Sequence, residues 1–289
     1  MTTANTGTIA GYHYALAWLT CQRKFFFEHV ENLGPASESH FLLRGRALHA
    51  AHEVYWLAMQ AGSLDDPLGL LKASYDLNLN MSDYADGQQW AQDREWGTKL
   101  LKLWTNTWHE ENRTRYTVLD VELELSAILP NGKLFTGRID RLLHDKFLSC
   151  DIIQDTKTTS FSVGRSFQSC DDADQATSNM WLLTKARPNL QVKTFMPDIL
   201  YNRNSVYDCA RPGVIYRSDA DIEDCAIALA RTFDEIDTAV AAYDPARPLS
   251  FSFKRAPESC GLYSGCPFRT VCRSHVAGQV PIGFKKKGE

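Results

Sequence analysis

Asp140, Asp155 and Lys157 stand in two stretches, FTGRIDRLLHD and CDIIQDTKTT, where apolar and polar residues alternate. That period belongs to half-buried strands, whose successive side chains point to opposite faces. Asp155 and Lys157 are two apart, so they share a face. With Asp140 from the adjoining strand, two carboxylates and an ammonium meet near one point. Charges are costly on a half-buried sheet unless something holds them. Two close carboxylates repel, and a divalent cation relieves the repulsion. Oxygen-rich donors suit Mg²⁺ or Mn²⁺. Such an ion activates water and offsets charge on a phosphodiester, and Lys157 supplies a fixed positive charge beside it. The competing explanation is a cross-strand salt bridge from Lys157 to Asp140 or Asp155 on an exposed face.

The elements must bring these groups together. Strands are expected at about 117–128, 134–144 and 148–156, with turns at Asn131-Gly132 and Asp145-Lys146. A tight second turn sets Asp140 opposite Asp151, not Asp155, so Asp151 is a rival ligand unless the loop is longer. Helical spacing precedes the strands in YHYALAWLTCQRKFFFEHV and LLRGRALHAAHEVYWLAMQAG. Trp96, Leu100, Trp104 and Trp108 recur every four residues on one helix face. This stripe reads as core packing rather than as a platform for stacked bases. The segments near GSLDDPLG and NMSDYADG read as loose connections. DDADQATSNMWLLTKA returns to helix, its acidic end suiting the N-terminal dipole. LQVKTFMPDILYN and GVIYR read as further strands, Ile222 to Tyr243 as an amphipathic helix, and FKKKGE as a mobile, solvated end. The pattern is a mixed α/β class, with a small central mixed sheet flanked by helices.

The chain has 289 residues, 44% hydrophobic and 23% charged, with a net charge of −4. A strongly basic nucleic-acid coat protein is excluded, while a local basic groove is not. No apolar run nears the roughly 20 residues of a membrane span, and MTTANTGTIAGYHY lacks the pattern of a secretory leader. The expected location is cytoplasmic, where eight cysteines do not make a disulfide framework. Cys150, Cys170, Cys209 and Cys225 are scattered and read as small buried apolar residues.

GRID, nine residues, then CDIIQDTKTT resembles the core of the RecB-like branch of the PD-(D/E)XK nucleases. CQRKFFFEHV is similar to that family's opening cysteine helix. LLRGRALHAAHEVYW matches its Gly-x-x-x-His helix through Gly45 and His49, and Gln175 fits the start of its Gln-x-x-x-Tyr helix. Each motif is weak alone, and their shared order over about residues 10–275 carries the resemblance. It implies a restriction-endonuclease-like core in which His49, Asp140, Asp155 and the Thr156 carbonyl bind metal. Lys157 is then the catalytic lysine, and Gln175 helps to position it or the substrate. Glu53 falls one turn beyond His49 as a supporting group. The family's tyrosine position is Asn179 here, which cannot stack as tyrosine does.

Cys260, Cys266 and Cys272 form a close trio with five residues between neighbours, and Cys21 lies near the other end. Four thiolates complete an all-cysteine metal site and three do not. One cysteine before the core and three after it resembles the iron–sulfur exonucleases of the CRISPR-associated and AddB-like type. Their first pair is commonly closer, with two residues between. The resemblance implies a structural [4Fe–4S] cluster on Cys21, Cys260, Cys266 and Cys272, with a four-thiolate zinc site as the first alternative and four unrelated thiols as the second. Arg23, Lys24, Arg44, Arg46, Arg138, Arg269 and Arg273 flank these elements as candidate phosphate contacts.

The expectation is one RecB-like domain over 1–289, with its core at about 40–245 and cluster-forming ends at about 10–30 and 255–275. Its activity would be Mg²⁺- or Mn²⁺-dependent hydrolysis of DNA, as an exonuclease on ends or single strands in recombination, repair or processing. The alternative is a catalytically idle DNA-binding or assembly subunit with the same fold.

Overall fold

The computed structural model describes residues 11–203, 206–261, 265–274, 276 and 278–287. The chain opens with helices α1 (Tyr12–Thr20) and α2 (Gln22–Phe25), a π-helical turn (Phe26–Val30) and strand β1 (Leu33–Pro35). Three helices follow: α3 (His40–Ala61), α4 (Pro67–Asn78) and α5 (Gly87–Arg115). The strands β2 (Tyr116–Ile128), β3 (Leu134–Asp145) and β4 (Cys150–Thr159) come next, then α6 (Val163–Asp172) and α7 (Asp174–Ala186). Strands β5 (Thr194–Arg203), β6 (Val206–Ala210) and β7 (Ile215–Tyr216) precede the long α8 (Asp219–Ala241), and β8 (Phe284–Lys286) lies near the end.

Local chemistry sets the helix ends. Ser39 caps α3 by accepting from the Phe41 amide, and α3 closes on Gly62 at φ 67, a left-handed position that favours glycine. Asp66 caps α4 and Pro67 opens it, so a 12-residue helix burying Leu71 and Tyr75 begins inside GSLDDPLG and fills the span before NMSDYADG. The expected helix at 171–186 is two helices. Asp172 ends α6 and Asp174 begins α7, with Ala173 extended between them. The stripe on α5 is core: Trp96, Leu100 and Trp104 are buried.

The main sheet runs β2-β3-β4-β5-β6, with β7 also paired to β5. β3 and β4 are antiparallel, β4 and β5 parallel, and β5 and β6 antiparallel, which makes the sheet mixed. The β3–β4 loop is longer than a tight turn. Asp145 pairs with Cys150, leaving Lys146–Ser149 between them. Asp145 Oδ1 accepts from the amides of Phe147 (2.9 Å) and Leu148 (3.1 Å), and Ser149 takes φ 50 to re-enter the strand. This loop decides the register. One step beyond the Arg141–Gln154 pair, Asp140 stands opposite Asp155, while Asp151 pairs with His144.

The residues fall into two compact units. One is built from Glu38–Ala127 and Gly137–Cys225. Its core joins Tyr55, Trp56, Tyr75, Leu100 and Trp104 from the helices to Leu143, Ile152, Met196 and Leu200 from the strands. The other gathers described residues of 1–37, 128–136 and 226–289. Its core sets Trp18, Phe25, Phe26, Phe27 and Leu33 against Ile236, Phe253, Phe268 and Val271. The described part of the basic tail is not free: Phe284–Lys286 pairs antiparallel with β1, and Lys286 Nζ binds Glu31 Oε2 at 3.2 Å, while Gly288 and Glu289 lie outside the described residues. Among the described residues no helix is long and apolar enough to cross a membrane.

Candidate active site

Three donors converge in the unit that holds the sheet. His49 on α3, Asp140 on β3 and Asp155 on β4 each offer an atom, all within 4.8 Å of one another. His49 Nδ1 lies 3.3 Å from Asp140 Oδ2. Asp140 does more than face its neighbour across the ladder. Its Oδ2 accepts from the Thr156 amide at 3.2 Å, so the carboxylate occupies a gap between β3 and β4. Lys157 Nζ reaches Asp155 Oδ2 at 2.5 Å and donates to Gln175 Oε1 at 3.0 Å. Gln175 stands in the first turn of α7, directly after the extended Ala173 and Asp174, so the break between α6 and α7 delivers it.

The electrostatics are those of crowded acids. Burial, and then the neighbouring Asp140, push the Asp155 carboxyl up to about 6. Burial works against an Asp140 carboxylate too, but the His49 hydrogen bond and charge, with Arg141, outweigh it and keep Asp140 low. Burial disfavours His49 as a cation, yet Asp140 and Asp155 raise its pKa. Lys157 follows the same logic: burial opposes its charge, and Asp155 and Asp140 raise its pKa. An imidazole and two carboxylates that would otherwise share a proton fit a divalent cation, whose charge removes the repulsion.

Other expected residues lie elsewhere. Asp151 Oδ1 takes His144 Nδ1 at 2.7 Å, which removes it as a rival ligand. Asn179 is buried on α7, its Oδ1 near Gly137, facing the protein interior. Glu53 lies within electrostatic range of Glu122, a half-buried carboxyl raised by burial and then by Asp140. Several expected phosphate contacts are engaged within the chain. Arg44 binds the buried Asp93, Arg46 pairs with Glu38, Arg138 binds Glu122, and Arg23 donates to the carbonyls of Phe253 and Cys272. Cys170 is not simply core, since its thiol lies in the electrostatic range of Lys157 and Asp155. Arg141 and Asp198 are buried charged residues beside the site, and Arg211 buries its side chain with them; no local sequence signal marks them.

In the other unit the four cysteines lie within electrostatic range of one another. Cys266 and Cys272 each feel Cys21 and Cys260 electrostatically, and the Cys266 amide donates to the Cys260 carbonyl at 3.0 Å. The Ala256 amide points at Cys21 Sγ, 3.5 Å away. Lys24 lies near Cys266, and Arg23 and Arg255 near Cys272. Burial raises the pKa of the Cys266 and Cys272 thiols, and these cations offset only part of that rise.

The sequence profile of the PD-(D/E)XK nuclease superfamily matches residues 16–273. The chain belongs to that superfamily. Membership carries metal-dependent nuclease chemistry and a nucleic-acid substrate. No curated protein matches the sequence significantly. Thirteen chains of solved structures match, among them "Crystal structure of SSO0001" at 13% identity. That likeness covers 79% of this chain and 84% of that one, with a TM-score of 0.34.

Proposed function

We propose that this nuclease is a Mg²⁺- or Mn²⁺-dependent deoxyribonuclease of the RecB-like branch, acting as an exonuclease on DNA ends or single strands. The observation that carries the reading is the convergence of His49, Asp140 and Asp155 beside Lys157. The three side chains, with the Thr156 carbonyl, would hold the ion. When bound, it would supply a Lewis acid for the attacking water and the phosphate.

The chain's own groups do the remaining work. Asp140 and Asp155 fix the donor set, and His49 completes it from α3. Lys157, held between Asp155 and Gln175, presents an ammonium to charge developing on the phosphate. Gln175 is the positioning group, because its oxygen fixes the lysine without competing for the ion. Expected products carry a 5′-phosphate and a 3′-hydroxyl, in keeping with recombination, repair or processing of DNA. We further assign a structural [4Fe–4S] cluster to Cys21, Cys260, Cys266 and Cys272, drawing the two chain ends together.

The test is digestion of end-labelled single- and double-stranded DNA by anaerobically purified protein with Mg²⁺ or Mn²⁺. Progressive release from ends, absent in Asp140→Asn, supports the assignment. An inert, folded wild type with both metals overturns it. Brown protein containing acid-labile sulfide supports the cluster, and colourless protein containing zinc replaces it.

A further inference from the structure

Thr156 lies between two site residues and looks both ways. Its main-chain amide holds Asp140 on the site side. Its side chain points to the opposite face of the sheet, since Asp155 and Lys157 flank it in a strand. There its Oγ1 accepts from Arg141 Nη2 at 2.7 Å, and His52 Nδ1 lies 3.0 Å away. With one lone pair taken by Arg141, the hydroxyl proton is free to point at His52. His52, Arg141 and Thr156 are all buried.

A guanidinium buried against the Trp56 ring is costly. Its cost is offset by Asp198, which stands beside Thr156 on the parallel neighbour β5 and is fully buried. Asp198 Oδ2 accepts from Trp104 Nε1 at 2.8 Å and from Arg211 Nη2 at 3.1 Å. Asp198 also lies within electrostatic range of Arg141 and favours its charge. Arg211 is anchored in turn by Asn112 Oδ1 at 2.7 Å. A charged array is thus built against the back of the strand, and it touches that strand's polar chemistry at the Thr156 hydroxyl.

We infer that Arg141 and His52 are positioning residues that act through the Thr156 hydroxyl to fix the pleat of β4. The inference rests on the metal-dependent reading of the site. In a strand, rotating one residue swings both neighbours. A Thr156 free to rotate would turn Asp155 and Lys157 off their common target and pull its amide from Asp140. Two bonds on one hydroxyl, from β3 and α3, prevent that rotation, and they come from the two elements that carry Asp140 and His49. The array therefore sets the relative placement of all three donors.

The experiment compares wild type, Thr156→Val, Thr156→Ser and Asp155→Asn by Mn²⁺ titration under electron paramagnetic resonance, with thermal melts and single-turnover cleavage alongside. Valine keeps the shape and the main-chain carbonyl while removing the hydroxyl. The expected result is a tenfold or greater loss of Mn²⁺ affinity in folded Thr156→Val, with affinity restored to within about twofold by Thr156→Ser. Unchanged affinity and turnover in folded Thr156→Val overturn the inference, because packing alone would shift only the melt. If Thr156→Val does not fold, His52→Gln, which leaves the Arg141 bond intact, takes the same readout: weakened Mn²⁺ binding supports the inference and unchanged binding overturns it. A wild type that binds Mn²⁺ no better than Asp155→Asn sinks the metal-site reading itself, a result separate from the others.

Discussion

Replacing Lys157 with methionine keeps the chain length and removes the charge. The ammonium lies 2.5 Å from Asp155 Oδ2 and 3.0 Å from Gln175 Oε1, so its position is fixed from two sides. A unit charge about 4 Å from a developing charge, at an effective dielectric of about 20, is worth about 4 kcal/mol. Only part of a charge develops on the phosphate, and the lysine side chain is 32% exposed, which lowers the figure. Loss of about 10²–10³-fold in the chemical step is the expectation, as for one donor removed from an oxyanion site. Metal binding should survive, because the methionine removes no donor. Single-turnover cleavage of end-labelled DNA at saturating Mn²⁺, paired with a direct Mn²⁺ titration, separates the two quantities. Cleavage within about threefold of wild type, with the metal bound, would refute the role given to this lysine.

Four further outcomes are expected. Mn²⁺ affinity should fall by more than about tenfold per pH unit below about 6, where the Asp155 carboxyl and the His49 imidazole both hold protons that compete with the ion; a pH series of titrations reads it. In metal-free protein the sign for stability is opposite to that of an ordinary salt-bridged acid. The folded-state pKa is raised from 3.8, so ionisation as pH rises from about 4 through about 6 destabilises the fold. Asp155→Asn should therefore melt higher than the wild type at pH 8 with chelator present, by a difference of order 1–3 kcal/mol, while losing Mn²⁺ binding. Cys272→Ser should lower the melting temperature and abolish the acid-labile sulfide, while the α3 and sheet residues around His49 and Asp155 keep their donor set. Gly97→Ala should destabilise by about 2–3 kcal/mol, since a Cβ there would meet Tyr75 Cζ at 2.1 Å and displace a hydroxyl bonded to the Asp93 carbonyl at 2.7 Å; chemical denaturation measures it.

What the sequence disclosed depended on how local the signal was. The pair Asp155 and Lys157 was legible because a period of two forces i and i+2 onto one face. The strands at 116–128 and 134–145 were legible for the same reason. Whether Asp140 or Asp151 faced Asp155 was not, because the answer lay in a loop length. Asp145 fixes that length by capping two amides, a choice that alternation does not record. Helix α4 escaped notice although Asp66 and Pro67 mark its start, because only Leu71 and Tyr75 turn inward and the remaining surface is mixed. The tail reads as free in the sequence because its partner strand lies some 250 positions away, and a three-lysine run gives no sign of a ladder.

Arg141 shows the limit most clearly. Beside Asp140 in the sequence it reads as one more surface charge on a strand, and most arginines are that. Nothing local says that its face is the buried one, because Leu142 and Leu143 fill both faces in turn. The sign that it is interior comes from Asp198, 57 residues later, and Trp104, 37 residues earlier, each ordinary alone. Only when β5 lies beside β4 do the carboxylate, the indole and the two guanidinium groups become a set whose members explain one another. A strand that carries catalytic side chains on one face must be held from its other face. Apolar packing resists displacement but little resists rotation about the strand axis, whereas directed hydrogen bonds resist both. That is the physical reason for charge in a place where a leucine would be more stable, and it makes the removal of a single hydroxyl from Thr156 the sharpest probe of how this site is kept in shape.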